Sequence, residues 1–410
     1  MNPEPTPPSS NRAWLVVGLL FFSGALLSID RSLISVMRSS ILEQIPMTES
    51  QFGFLMAIYT WVYAFLSPFL GFLADRLNRS AVLAWSLLIW SLVTMLTAYA
   101  KTYDQLLACR VALAITEAGY LPCALALITD YHRGSTRSRA TSVHIVGISL
   151  GAAVSGVGGM LATRYSWQMP YTYFGLAGVV LSSVLICFLR DPPRATADAR
   201  TAVQVTFGRA LASLFGYRSF MIVFLYFGLA ALATGGLNNW MPTYLKEHFQ
   251  ITQGTAGLAA TGYINIGAMV GMLIGGVWAD HWCRTDSRGN IFVAGIALAV
   301  SAPCVLLITQ NSFGWAMLGL SIFGLTYSVG GVQTMPILCQ VTDPRYRSTA
   351  YGVLNLLAAS MSGLGTYAWG AMRDAHIDFK WFVFTASANL VVCSMLLFRI
   401  KPLPQANAGT

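Results

Sequence analysis

The chain has 410 residues, 55% of them hydrophobic and only 10% charged, with a mean hydropathy of +0.60. Soluble domains carry about 25% charged residues, and a water-facing surface this poor in charge would be too apolar to stay dispersed. Composition therefore excludes a soluble protein and predicts a polytopic membrane protein, and the formal net charge of +9 is not read as a nucleic-acid signal.

The first twelve residues, "MNPEPTPPSSNR", are Pro-rich and polar and read as a disordered tail. They lack the basic n-region and cleavage site of a secretory signal, so the first apolar run is expected to be retained. Runs of about 20 apolar residues, enough to cross a bilayer core, follow at 13–38, 50–74, 82–100, 104–131, 141–163 and 169–189. A second set lies at 219–244, 253–279, 290–309, 313–340, 349–372 and 379–398. One long polar connection, 190–218, divides six spans from six, and 399–410 forms a short tail. The fold class expected is an all-α membrane protein with twelve transmembrane helices in two pseudosymmetric six-helix bundles. The seven cysteines are scattered singly, with no spacing for a metal site or a disulfide framework.

Basic residues set the orientation. With the N-terminus inside, seventeen Lys and Arg fall on the cytoplasmic side and six on the other, a positive-inside bias that places both termini in the cytoplasm. The bilayer is the partner this charge implies, and nucleic acid is not. The expected location is the inner cell membrane.

Internal echoes support a duplication. "GFLADRLNR" begins at Gly71 and "GVWADHWCR" at Gly276, 205 residues later. Both set Gly, Asp and Arg at the same offsets: Gly71, Asp75, Arg79 and Gly276, Asp280, Arg284. "RSRAT" at Arg137 pairs with "RYRST" at Arg345, and "RDPP" after the sixth span with "KPLP" after the twelfth. On these residues the whole chain resembles the major facilitator superfamily, and "GFLADRLNR" resembles its loop signature between helices two and three. Gly71, Asp75, Arg76, Arg79, Asp280 and Arg284 are the candidate conformational latch, through charge-assisted bonds and helix-end contacts that break when the halves rock. The plainer reading is an ordinary positive-inside loop.

Charges inside a span cost about 2.5–3.5 kcal/mol each on insertion scales and are functional candidates by default. The mid-span charges are Asp30 and Arg31 in the first span and Arg110 and Glu117 in the fourth, all in the first half. Arg110 and Glu117 are seven apart and share a helical face. Asp30 and Arg31 diverge by about 100°, so one of them must find its partner elsewhere, most economically on helix four. The second half offers neutral groups: Asn238 and Asn239, Asn265, Tyr327, Ser328, Gln333, Asn355 and Ser360. Such a set suits a proton-coupled carrier, in which protonating an acid frees an arginine for a substrate carboxylate. Structural ion pairs that fix helix packing are the alternative.

"DRSLISV" with "RVALAITEAGYLP" resembles the anion:cation symporter family of hexuronate and galactonate permeases and sialin. The resemblance implies that Asp30 and Glu117 carry protons, that Arg31 binds the substrate carboxylate, and that Arg110 is tied to Glu117. Tyr63, twelve residues before Asp75, also matches. Ile148 stands where sugar-acid carriers can show Gln, which points to a less hydroxylated substrate. His144 is either a pH-sensitive gate or a buried, bonded histidine. The same charge pattern and "HWCRTDSRGN" also resemble Spinster-like lysolipid carriers.

The sequence shows no HExxH, P-loop or CxxC, so neither an enzyme nor a nucleotide-driven pump is expected, and no cofactor or metal. "GGLNNWMPTYL" is expected to break helix seven near Pro242, as a gate or for packing. The expected function is proton-coupled symport of a small organic anion, a carboxylate or sugar acid, by alternating access in a monomer. The substrate-contact set is Arg31, Tyr63, Arg110, Asn238, Asn239, Gln333 and Asn355. A Spinster-like lysolipid or amphiphile carrier, or a proton-coupled exporter, is the alternative.

Overall fold

The structure is a computed structural model that describes residues 10–76, 78–132, 135–191, 207–343 and 346–402. Among the described residues every regular element is helical. The first part runs α1 (Ser10–Val36), α2 (Arg38–Gln44), α3 (Glu49–Arg76), α4 (Arg79–Thr97), α5 (Tyr103–Glu117), α6 (Tyr120–Tyr131), α7 (Ser135–Val154), α8 (Gly156–Arg164) and α9 (Gln168–Phe188). The second runs α10 (Phe207–Gly216), α11 (Arg218–Phe249), α12 (Gln253–Cys283), α13 (Gly289–Val305), α14 (Phe313–Val332), α15 (Thr334–Val341), α16 (Arg347–Asp374) and α17 (Phe379–Phe398).

Eleven helical stretches among the described residues are long and apolar enough to cross a membrane. The eleventh expected span is α16, long enough but diluted by Asn355, Ser360, Ser362 and several glycines. Four expected single helices are interrupted. The fourth breaks between α5 and α6, and the tenth between α14 and α15. Both breaks have one cause: a proline lacks an N–H and its ring clashes with the carbonyl four residues earlier. Pro122 sets this conflict at Ala118, and Pro336 sets it at Val332, the last residue of α14. The fifth breaks at Ser155, and the ninth ends in a 3₁₀ turn at Leu306–Thr309. Helix seven goes the other way: α11 runs unbroken through Pro242. One lost backbone bond within a long span is tolerated where neighbouring groups absorb it.

The chain forms two compact units. The first comprises 1–201 together with 239–262, the end of α11 and the start of α12. Its core is built from Val16, Leu20 and Leu27 of α1, Leu83, Leu87 and Trp90 of α4, Leu113 of α5, and Tyr120 and Leu127 of α6. At the end of α1, Arg38 donates through Nε to Glu49 (3.1 Å) and through Nη1 to Glu247 (3.4 Å). The side-chain amide of Gln253 bonds Ser40 in both directions, accepting from its N–H and donating to its hydroxyl. The second unit comprises 202–238 and 263–410, with Ala279, Val293, Ala297 and Val329 in one core cluster.

Within each unit helices touch backbone to backbone at glycines, among them the first and fifth. A side chain at Gly151 of α7 would strike the backbone of Ala25 on α1, and one at Gly365 of α16 would strike the carbonyl of Leu232 on α11. Small residues permit this approach. The start of α4 is held differently. Asp191 of "RDPP" accepts the backbone N–H of Arg79 (2.9 Å) and of Ser80 (2.8 Å), and Asn78 accepts from Ala81 (3.0 Å). Two of the four unsatisfied donors of a helix start are thereby met by one carboxylate.

Two outcomes follow. Gly151→Val should cost about 1–3 kcal/mol by overpacking and lower the midpoint of thermal unfolding in detergent, whereas Gly18→Ala, with open space around it, should not. Asp191→Ala should lower the same midpoint through loss of a cap worth about 0.5–2 kcal/mol.

Candidate functional site

The acid and base of α1 part company as the 100° step between neighbours requires. Asp30 is buried, and Thr94 of α4 donates its hydroxyl to Asp30 Oδ2 at 3.2 Å. Arg31 turns toward α3 and α5, where its Nε donates to Glu117 Oε2 at 3.3 Å. Its guanidinium also lies 4.3 Å from the ring centre of Tyr63 and 5.4 Å from that of Tyr59. The Arg31 side chain is 32% exposed and that of Glu117 0%, so the pair has one partner partly exposed and one sealed.

Glu117 owes its position to the helix break. It is the last residue of α5, and α6 restarts at Tyr120 three residues later. Its Oε2 takes two donors, Arg31 and the hydroxyl of Tyr59, while Oε1 has no hydrogen-bond partner. A lone carboxylate sealed from water would cost several kcal/mol; these two donors are what keep it tolerable. Tyr59 and Tyr63 are one turn apart on α3 and share a face, with ring centres 6.1 Å apart and planes at 18°.

Arg110 is 2% exposed and lies over the ring of Tyr59, 4.6 Å from its centre. Its Nε and Nη1 have no hydrogen-bond partner, and it forms no ion pair with Glu117. This corrects the expected pairing of Arg110 with Glu117. Seven residues are two turns, about 10.5 Å along the axis, and Arg31 and Tyr59 reach the carboxylate from neighbouring helices instead. The chain therefore gathers Asp30, Arg31, Tyr63, Arg110 and Glu117 in one unit, two acids and two bases, with Tyr59 among them. Tyr59 was not singled out from the sequence; its spacing of four from Tyr63 was the available signal.

The neutral candidates are placed separately. Gln333 is buried at the α14–α15 break, and its amide donates to the carbonyl of Gly275 at 2.9 Å, a bond that braces α12. In the second unit Asn238 on α11 and Asn355 on α16 are exposed, and Tyr327 shares a 3.4 Å contact between its hydroxyl and that of Thr234. Asn239 belongs to the first unit and is half-buried.

His144 is fully buried on α7, with Nδ1 at 3.0 Å from the carbonyl of Leu20, which also accepts the hydroxyl of Tyr120 at 3.0 Å. Nδ1 must carry the proton to make this bond, which fixes the tautomer. Of the latch residues, Arg79 pairs with Asp130 at 2.5 Å. Gly71, Asp75 and Arg76 end α3, and their side chains lie outside the described residues. Asp280 and Arg284, at and just beyond the end of α12, are exposed and form no ion pair among the described residues.

Comparison with known proteins follows the fold. An MFS-type efflux pump of Mycolicibacterium smegmatis is 27% identical over 377 residues, covering 90% of this chain and 86% of the relative. Protein spinster homolog 1 of Xenopus tropicalis is 24% identical over 88% of this chain and 72% of its own. The hexuronate transporter of Bacillus subtilis is 22% identical over 96% of each. A crystal structure of a bacterial homologue of the human lysosomal transporter Spinster, inward-facing and unoccupied, shares the fold with TM-score 0.79. It is 19% identical, over 95% of this chain and 97% of that one. All are transporters or homologues of transporters rather than enzymes. The Major Facilitator Superfamily model matches residues 20–366, and the chain belongs to that superfamily.

Proposed function

We propose that this transporter moves a small organic anion together with protons, by alternating access, with Glu117 as the proton acceptor and Arg31 as the anion's anchor. One observation carries the reading: the sealed carboxylate of Glu117 is shared by Tyr59 and by Arg31, and Arg31 is partly exposed. With Glu117 ionised, Arg31 is occupied. A proton on Glu117 removes the charge that holds the guanidinium, and Arg31 turns its planar fork to a substrate carboxylate, a geometry it matches well. Tyr63, against the guanidinium, steadies it in either position. The relation is reciprocal by linkage: a proton favours the anion and the anion favours the proton.

Asp30 is the second proton site on this reading, held by Thr94 in the interior of the same unit. The neutral residues Asn238, Asn239, Gln333 and Asn355 serve the uncharged part of the substrate or the packing around it, and the Gly275 bond of Gln333 favours packing for that residue. His144, bonded to the α1 backbone, is a packing histidine in this scheme. Arg79 with Asp130 and Asp191 forms the inner-side latch. The protein works as a monomer in the inner cell membrane with both termini inside.

A second reading is supported by the likeness to the Xenopus Spinster homologue: an amphiphile with an anionic head, whose phosphate would take the place of the carboxylate at Arg31. The efflux pump of M. smegmatis supports an outward direction, which the same residues serve equally.

The test is substrate-induced proton movement in proteoliposomes with a pH-sensitive dye inside, across monocarboxylates, sugar acids, aromatic acids and lysophospholipids. Proton entry with one anion class, lost in Glu117→Gln while anion exchange continues, is the expected outcome. Loss of both activities in a folded Glu117→Gln, or proton coupling that survives it, overturns the role of Glu117. A signal from lysophospholipids alone selects the second reading. With coupling energies of about 1–3 kcal/mol, Glu117→Gln should tighten anion binding by roughly 5–150-fold, measurable as a lower KM for exchange. Arg31→Lys should raise that KM by about tenfold or more, since hydrogen bonds to charged groups are worth about 1.5–3 kcal/mol.

A further inference from the structure

Tyr59 stands where three charged groups meet. It is 5% exposed; its hydroxyl donates to Glu117, and its ring lies 4.6 Å from the Arg110 guanidinium and 5.4 Å from that of Arg31. Tyr63 stacks behind it.

The bonding left unused around this ring is informative. Glu117 Oε1 accepts nothing, and Arg110 Nε and Nη1 donate to nothing, although all three atoms are buried. Opposite charges in a dry setting attract strongly, and each here has spare capacity for the other. They are nonetheless not joined. The guanidinium is engaged with the face of Tyr59, where cations bind well when desolvated. The carboxylate is engaged with the hydroxyl of the same residue.

We propose that Tyr59 is the positioning residue that allots Glu117 to Arg31 and withholds it from Arg110. This rests on the reading of Glu117 as proton acceptor, and it explains how that role survives beside a second arginine. Arg110 is sealed; paired with it, Glu117 would hold a partner that no substrate could reach, and it would stay ionised. Paired with Arg31, it holds a partner for which an incoming anion competes. The bonding also lets the proton arrive without breaking the Tyr59 contact. When Glu117 takes up a proton, the O–H bond forms at the unpartnered Oε1, and Oε2 goes on accepting from Tyr59. The phenol keeps its own proton throughout, and Arg31 alone is released.

Infrared difference spectroscopy on the substrate-free, full-length protein in lipid nanodiscs, between acid and alkaline pH, tests this without knowing the substrate. Glu117→Gln identifies the Glu117 carboxyl band. Tyr59→Phe, which keeps the ring and removes the donor, should shift that band. Tyr59→Leu should abolish it over the same pH range, because Arg110 then captures the carboxylate, and Tyr59→Leu combined with Arg110→Gln should restore it. A band unmoved in Tyr59→Phe overturns the assignment, as does one that persists unchanged in Tyr59→Leu. Where Tyr59→Leu fails to fold, by loss of a monodisperse peak, Tyr59→Phe decides alone. No Glu117 band in the wild-type protein overturns the proton-acceptor reading and this assignment with it. A normal Glu117 band untouched by either Tyr59 substitution overturns only the latter.

Discussion

A carboxylate cannot be sealed inside a lipid-embedded bundle alone, and Glu117 is sealed. Much of the first unit is arranged around meeting that demand. The α5 helix stops at Glu117 because Pro122 makes continuation costly. The α3 face turns Tyr59 toward it, and α1 delivers the partly exposed Arg31. Asp30, one residue earlier, is sent by helical geometry to a different helix, where a threonine meets it. Two acids and two bases thus sit in one bundle without simple pairwise neutralisation. On the proposed reading, that residual imbalance would make their partners exchangeable, as a coupled carrier requires.

Duplication of the six-helix unit is visible at levels beyond the loop echoes. Pro122 and Pro336 break the fourth helix of each half in the same way. Gly151 against Ala25 and Gly365 against Leu232 draw together the first and fifth helices of each half. The chemistry is not duplicated. Aligning the two prolines sets Gly331 against Glu117, and Gln333 beside it spends its amide on the backbone of α12. One copy of the unit bears charge in its interior; the other keeps the joints and the close contacts without it.

How much of this could be read from the amino acids divides along physical lines. The spans were legible because the bilayer imposes a length on each apolar run. The four intramembrane charges stood out because charge inside a span is costly. The 100° step required one of Asp30 and Arg31 to look elsewhere without saying which; it is Arg31 that reaches Glu117. What was not legible was the choice among partners. Arg110 and Glu117 share a face by spacing, yet the carboxylate is taken by groups from two other helices, and no periodicity within one helix reports on those. Proline was misjudged in both directions. Pro242 leaves α11 whole, whereas Pro122 and Pro336 interrupt their helices. Asp191 was noticed only as part of an echo; its service as a cap for α4 depends on a packing contact over more than a hundred residues of chain.

The joint between α5 and α6 has a bearing on how such a protein can diverge. Where a helix runs unbroken, an insertion at one end rotates every side chain beyond it by 100° per residue. Here the helical register is interrupted just after Glu117, so changes in α6, beyond the joint, do not turn Arg110 or Glu117 away from Tyr59. A lineage can remodel the helix beyond the joint while inheriting the charged interior intact. The likeness to transporters with such different names, at 22–27% identity, is the kind of spread that such insulation permits.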